Sequence, residues 1–344
     1  MKKFLIKLSY TVLPVWLFFV GLVCYVSLMV IPYIKGDLES LGLISFDRYY
    51  SAKLNQDTDT VMHFKTIDAN SDAQQLHSDV LTVGDSFSQM GYEGYQNYLC
   101  QQGLTVSNIF VGKFDNPLEV AYRMLTLGKI DSTCTKALVV ESAERMIDVR
   151  AITFTPEGPL PTPPVKNVQK GNTGNENMWS PGRARDFLYY RFIKSPVQSA
   201  TLDGDYFSSS DPRKLYFYED DLSSSMQYPA EHREGMKALF NDLCQKAEEK
   251  GINMILLVAT DKYDLYQKHI VDNKWPEKTI MEDLAQIIGD NPHLLLSKQY
   301  LAPFIEQGEK DIYKFNDTHW SYKSSRIIAT ELAKRIKGYR EERL

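Results

Sequence analysis

The sequence predicts an α/β protein: a mainly parallel sheet in three layers, helices on both faces, and one transmembrane helix ahead of it. Three observations carry this. Short apolar runs of strand length recur along the chain and read as continuous rather than alternating, as strands buried on both faces do. Amphipathic helical patterns lie between them, and strands alternating with helices form a parallel sheet covered on both sides. The first forty residues hold an uncharged apolar stretch of bilayer length.

That stretch runs from about Tyr10 to Ile34, behind Lys2, Lys3 and Lys7 and ahead of Asp37 and Glu39. A bilayer core takes roughly 20 apolar residues in a helix. A cleaved signal peptide would be shorter and end in small residues, whereas this run ends at Ile31-Pro32-Tyr33-Ile34-Lys35. Residues 1–36 therefore read as an uncleaved anchor. The lysines place its N-terminus in the cytoplasm and residues 37–344 outside, periplasmic or extracellular. Pro14 falls in the first turns of the run, where a helix tolerates it best.

The expected strands of the body are Val80–Val83, Asn108–Val111, Ala137–Val140, Asn253–Val258 and His293–Leu296. Residues 231–250 form the clearest helix, with Met236, Leu239, Phe240, Leu243, Cys244 and Ala247 on one face and Gly251 as its terminator. Ile327, Ile328, Leu332 and Ile336 mark a last helix, for which Ser321 is the expected N-cap. Residues 155–185 break the pattern. Six prolines (156, 159, 161, 163, 164 and 181) and few apolar residues make this stretch a long surface loop. The aromatic segments Phe187–Phe192 and Leu215–Tyr218 extend the sheet or wall a cleft.

The chain of 344 residues balances 39 basic against 44 acidic residues, for a net charge of −5. With no basic run, a nucleic-acid partner is not expected. Cys24 lies in the anchor. Cys100, Cys134 and Cys244 are far apart with no nearby histidine, so no zinc site is expected. Either a Cys100–Cys134 disulfide or buried free thiols fits this usage.

Two motifs carry chemistry. Gly84-Asp85-Ser86-Phe87-Ser88 follows a strand directly, so Ser86 sits past a strand's carboxyl end, where α/β sheets collect their sites. A serine hydroxyl needs a base to become a nucleophile, and donors for the oxyanion it creates. Gly84 is expected to permit a sharp turn. Asp317-Thr318-His319-Trp320-Ser321 precedes the last helix. Imidazole is the natural base, and a carboxylate fixes its tautomer. Taken singly, each motif also reads as an Asp or Ser capping the next helix.

Together, G-D-S after an early strand and D-x-H-W before the last helix resemble the SGNH hydrolase superfamily, over residues 75–340. The subset most similar is the alginate O-acetyltransferase family of the AlgJ/AlgX type. Val140-Glu141-Ser-Ala-Glu144-Arg145 and Ala259-Thr-Asp-Lys262-Tyr263 resemble further segments of it. In the alginate enzymes the Asp-x-His block precedes the serine. Here it follows, as in ordinary SGNH esterases and the membrane-anchored D-alanylation protein DltD. The resemblance implies a flavodoxin-like SGNH fold and catalysis by Ser86, His319 and Asp317 with no cofactor or metal. It also implies O-acetylation of an extracytoplasmic polysaccharide, with a membrane-bound O-acyltransferase partner exporting the acyl group. Gly112 and Asn116 are the candidate oxyanion donors, the alternative being a plain Asn-Pro turn. Glu141 and Arg145 are candidates for shaping the cleft, the alternative being a structural ion pair. The same triad with water as acceptor would make a carbohydrate esterase. An idle site would leave a glycan-binding scaffold.

Overall fold

In a computed structural model, residues 2–34, 36–43, 61–71, 77–111, 115–130, 132–160, 180–222 and 230–341 are described. Strands β1 (Lys65–Thr66), β2 (Val80–Gly84), β3 (Val106–Phe110), β4 (Ala137–Ala143), β7 (Asn253–Ala259) and β8 (Leu294–Leu296) form one sheet in the order β1-β3-β2-β4-β7-β8. Every pairing in it is parallel. All five sequence-read strands are therefore in the sheet. β4 runs three residues past its expected end because the buried polar Glu141 and Ser142 interrupt the apolar signal, and β7 gains only Ala259.

The period of two along each strand divides the core. Val80, Ala137, Val139, Ile255 and Leu257 face one cluster. Leu81, Val83, Leu138, Val140, Met254 and Leu256 face the other. Helices α3 (Tyr95–Gln101), α10 (Ser297–Glu306) and α11 (Tyr322–Glu341) cover the first face. Helices α4 (Pro117–Thr126), α7 (Ala230–Glu248) and α9 (Ile280–Ile288) cover the second. The result is the three-layer parallel architecture. α7 ends as its sequence says: Gly251 has φ +71°, and the Ile252 N–H donates back to Ala247 O at 2.9 Å. Ser321 Oγ accepts from Lys323 N at 3.1 Å, which makes it the N-cap of α11.

Helix α1 (Lys2–Met29) contains one span, Tyr10–Met29, long and apolar enough to cross a membrane, with a mean hydropathy of 2.3. Among the described residues, its last turns pack on the body. Val26 and Ile31 pack on Ala184 and Phe187, and the Ser180 N–H donates to Ser27 Oγ at 2.9 Å. A short helix α2 (Asp37–Ser40) follows.

Two aromatic segments depart from expectation. Phe187–Phe192 belongs to a helix, α6 (Pro181–Phe192), that starts inside the stretch read as loop, with Pro181 in its first turn. Its apolar face meets α1 and not the sheet. Leu215–Tyr218 lies in β6 (Lys214–Tyr218), which pairs antiparallel with β5 (Val197–Thr201) as a separate hairpin. Residues 161–179 of the expected loop lie outside the described residues. All four cysteines are free thiols.

Candidate active site

The serine turn is assembled from below. β2 ends at Gly84, and residues Ser86–Gln89 form a single 3-10 turn capped by Asp85, whose Oδ1 accepts from Phe87 N at 3.3 Å. Oδ2 of Asp85 accepts from Ala143 N at 2.9 Å and pairs with the buried Arg150 guanidinium. Burial raises the Asp85 pKa, but the charge of Arg150 and the Ala143 N–H outweigh it, so this carboxyl sits below its ordinary value. Glu141, fully buried on β4, accepts from the Asp85 N–H at 3.0 Å and from the Ser88 hydroxyl at 2.9 Å. Burial and the neighbouring Asp85 charge push its pKa well above the usual range, with the Arg150 charge pulling partly against them. Asn108 and Gln96 both donate to Ser88 O, at 2.9 and 3.1 Å. The turn that carries Ser86 is thus held on three sides, while the Ser86 side chain, half-buried, hydrogen-bonds to no described residue.

Gly84 is required for a reason other than the turn. It ends a strand, and a Cβ there would stand 2.1 Å from Ser88 Oγ and 2.5 Å from Glu141 Oε2. Space for the Glu141 prop, not backbone freedom, demands glycine.

The loop that carries Asp317 and His319 is held from β7 and from within. Helix α8 (Lys262–Tyr266) starts just past β7, and its buried Lys262 Nζ donates to three carbonyls, Lys314 O at 2.6 Å, Phe315 O at 2.9 Å and Asp317 O at 3.1 Å. An ammonium has three donors and finds three acceptors. Burial lowers the Lys262 pKa to about 7, with Asp317 and Asp221 pulling partly against it. Tyr313 and Trp320 form an antiparallel bridge across the loop's neck. Asp317 Oδ1 accepts from both the backbone N–H of His319, at 3.0 Å, and its Nδ1, at 2.7 Å. This is how a two-residue spacing works: one carboxylate oxygen fixes backbone and ring together. With Nδ1 occupied, Nε2 is left, and it is buried without a hydrogen-bond partner.

Phe87 joins the two loops. Its ring meets His319 edge-on at 4.9 Å and Trp320 at 4.8 Å. The residue next to Ser86 therefore packs directly on the imidazole, although the two motifs lie more than two hundred positions apart in sequence.

The other sequence-chosen residues are distributed differently. Gly112 lies outside the described residues. Asn116 is the N-cap of α4: its Oδ1 accepts from Leu118 N at 3.0 Å and its Nδ2 donates to Arg150 O at 2.7 Å. Arg145 pairs with Asp261 and Asp221, not with Glu141 or Glu144. Together with Lys278 and Glu144 these residues form a buried ion network at the carboxyl ends of β4 and β7. Glu141 props the serine turn.

One residue at the site had no signal in the sequence. Asp37, on α2 just after the apolar helix, places Oδ2 3.2 Å from His319 Nδ1 and 3.3 Å from Thr318 Oγ1, whose hydroxyl donates to it. Asp37, Asp317 and His319 bring ligand-type atoms within 4.8 Å of one another. Both carboxylates address the same ring N–H, so the imidazole rather than a cation is the group between them. Burial lowers the His319 pKa, but Asp317 and then Asp37 outweigh it and push it up to about 10.

Residues 213–343 match the family model described as an SGNH hydrolase-like domain, acetyltransferase AlgX. The match includes Asp317 and His319 and begins after Ser86. The chain is also 26% identical over 147 residues to a Pseudomonas fluorescens protein named probable alginate O-acetylase AlgJ. That stretch is 40% of this chain and 36% of the relative, so the chain spans about a third of the length of the protein it matches. The chain is thus similar to proteins of the AlgJ/AlgX type, and its α/β fold agrees with theirs.

Proposed function

We propose that this protein is a membrane-anchored O-acyltransferase that acetylates an extracytoplasmic polysaccharide through an acyl-serine intermediate. The observation that carries this reading is the packing of Phe87, neighbour of Ser86, on a histidine whose Nδ1 is held by Asp317 and whose Nε2 is unpartnered.

In the first half-reaction, neutral His319 takes the Ser86 hydroxyl proton on Nε2 as Oγ attacks the acyl carbonyl carbon. The tetrahedral oxyanion collapses, the donor's leaving group departs with the proton from Nε2, and an ester of Ser86 remains. In the second, a sugar hydroxyl gives its proton to Nε2 and attacks that ester. Ser86 regains its proton when it leaves. Asp317 keeps the ring in the productive tautomer and stabilises the imidazolium formed in each half. The backbone N–H of Ser86 is the expected oxyanion donor.

The exposed apolar side chains along Tyr10–Met29 form a surface that a bilayer would cover. The lysines before it orient the body outside the cytoplasmic membrane. The transferase reading draws on the similarity to a relative named an alginate O-acetylase. A membrane-bound O-acyltransferase is the expected partner, since a donor must deliver the acyl group outside the cytoplasm.

Incubating the protein with an activated acetyl ester and mapping the product by mass spectrometry tests the triad. One acetyl group on Ser86 is expected, with His319→Ala acylated about 10²- to 10⁴-fold more slowly. Acetylation found elsewhere, or unchanged in His319→Ala, rejects the mechanism. Adding glycan separates transfer from hydrolysis: an acyl-enzyme that discharges only to water is an esterase.

A further inference from the structure

We propose that Asp37 is a positioning residue for the histidine: docked on Nδ1, the turn after the apolar helix holds His319 as an imidazolium, and undocking it frees the base. The inference rests on the acyl-transfer reading for its consequence, but its geometry is independent of it.

The docking is close. A Cβ on Gly36 would stand 2.0 Å from Asn316 O and 2.7 Å from Asn316 C, so only glycine lets this turn lie against the loop that carries Asp317 and His319. The turn is also internally fixed. The Gly36 N–H donates to Glu39 Oε2 at 3.2 Å, and Leu38 is fully buried. Asp37 then reaches the ring N–H that Asp317 already accepts, and the Thr318 hydroxyl donates to it from the same loop.

The charged groups around His319 leave Asp37 as the variable one. On the histidine's own loop stand Asp317 and Lys314. From the segment Gly91–Glu93, Glu93 is tied to Lys314. From α8, the Lys262 ammonium is taken by loop carbonyls. From the serine turn comes the uncharged Phe87 ring, while Asp85 is turned to Arg150. On α2, Glu39 is turned to the Gly36 N–H. Asp317 is buried, fixed by two hydrogen bonds and part of the loop. Asp37 is more than half exposed and belongs to a segment that continues directly from the apolar helix.

The chemical consequence follows from protonation. A ring carrying both protons cannot accept one from Ser86. An opposite charge this near shifts a pKa by about one to three units, so withdrawing Asp37 returns part of the histidine population to the neutral, basic form at neutral pH. The anchor segment thereby links the membrane surface to readiness of the nucleophile.

The test uses the full chain in lipid nanodiscs with ¹³C-labelled histidine, His319 being assigned by its loss in His319→Gln. The His319 titration midpoint is measured in the parent protein, in Asp37→Asn, and in Gly36→Ala, which displaces the turn while keeping the carboxylate. Both variants are expected to titrate about one unit or more lower. Ser86 acylation by an activated acetyl ester at neutral pH is expected to rise by about tenfold or more in Asp37→Asn, with the acidic limb of its pH profile moved down. A midpoint unchanged in both variants overturns the inference, whatever the acylation rates. A lowered midpoint with no acylation of Ser86 in any protein upholds the contact and refutes the acyl-transfer reading instead.

Discussion

Asp85 and Glu141 lie side by side beneath the serine, yet their surroundings shift their pKa values in opposite directions. Arg150 and the Ala143 N–H hold Asp85 below its ordinary value against burial. Glu141 makes no ion pair of its own, and burial and the Asp85 charge raise it well above the usual range, with Arg150 pulling only partly against them. An isosteric neutral amide is therefore the mildest change at position 141: Glu141→Gln is expected to fold and react nearly as the parent does. Glu141→Leu strands the Asp85 N–H, at about 1–3 kcal/mol measurable by urea unfolding, and leaves the Ser88 hydroxyl only its Tyr95 partner at 3.0 Å. Asp85 also sets an acid limit. Because its folded pKa is depressed, its contribution is fully present above the unfolded value of 3.8 and is lost as pH falls through the lower folded pKa. Asp85→Asn is accordingly expected to weaken the protein at neutral pH and to flatten the acid side of its stability profile. At this scale the sequence was partly legible. Gly84-Asp85-Ser86 and Asp317-Thr318-His319 could be singled out because acyl transfer uses those residue types at a strand's end and a helix's start. Asp37 could not, because an acidic residue after an apolar helix reads as a flank. Lys262 stood out only within a family-resembling segment, and its stapling role was hidden because its three acceptors are backbone carbonyls, which no side-chain pattern encodes.

Among the elements, the loop that carries His319 depends on α8 more than on its own residues. Replacing Lys262 with Met removes all three donors from the carbonyls of Lys314, Phe315 and Asp317. A loss of about 3 kcal/mol or more is expected in denaturant melts, with acylation of Ser86 falling further than stability alone explains. A Lys262→Met protein of parental stability would show that the staple is not needed. Five strands of the sheet were legible because a strand buried on both faces is mostly apolar, whereas the two-residue β1 and the half-exposed β5 gave no such run. Helix α6 was not legible. Its stripe of Ala184 and Phe187 is short, and its partner is the end of α1, a helix assigned on its own features to the membrane. Amphipathicity points to a partner only when the partner belongs to the same expected core. The N-cap role of Asn116 was visible as an Asn-Pro turn, and the capping chemistry took the residue.

Among the described residues, the apolar rod meets the body where Val26 and Ile31 pack against Ala184 and Phe187 beside the Ser27–Ser180 hydrogen bond, and the turn after it docks again through Gly36 and Asp37 on the loop of His319. Phe187→Asp is expected to unseat α6 from α1. Amide exchange would then rise over residues 181–192, while β4 and β7 stay protected to the level of global unfolding. Equal exchange in both proteins would show that α6 is held by something else. The six-stranded sheet itself runs from its outermost member β1, two residues long, to β8, three residues long. A chain anchored in a bilayer, as proposed above, meets copies of itself within one plane. Outer strands this brief expose few free amides and carbonyls for a neighbouring chain to zip onto, which blunts the route by which sheets aggregate.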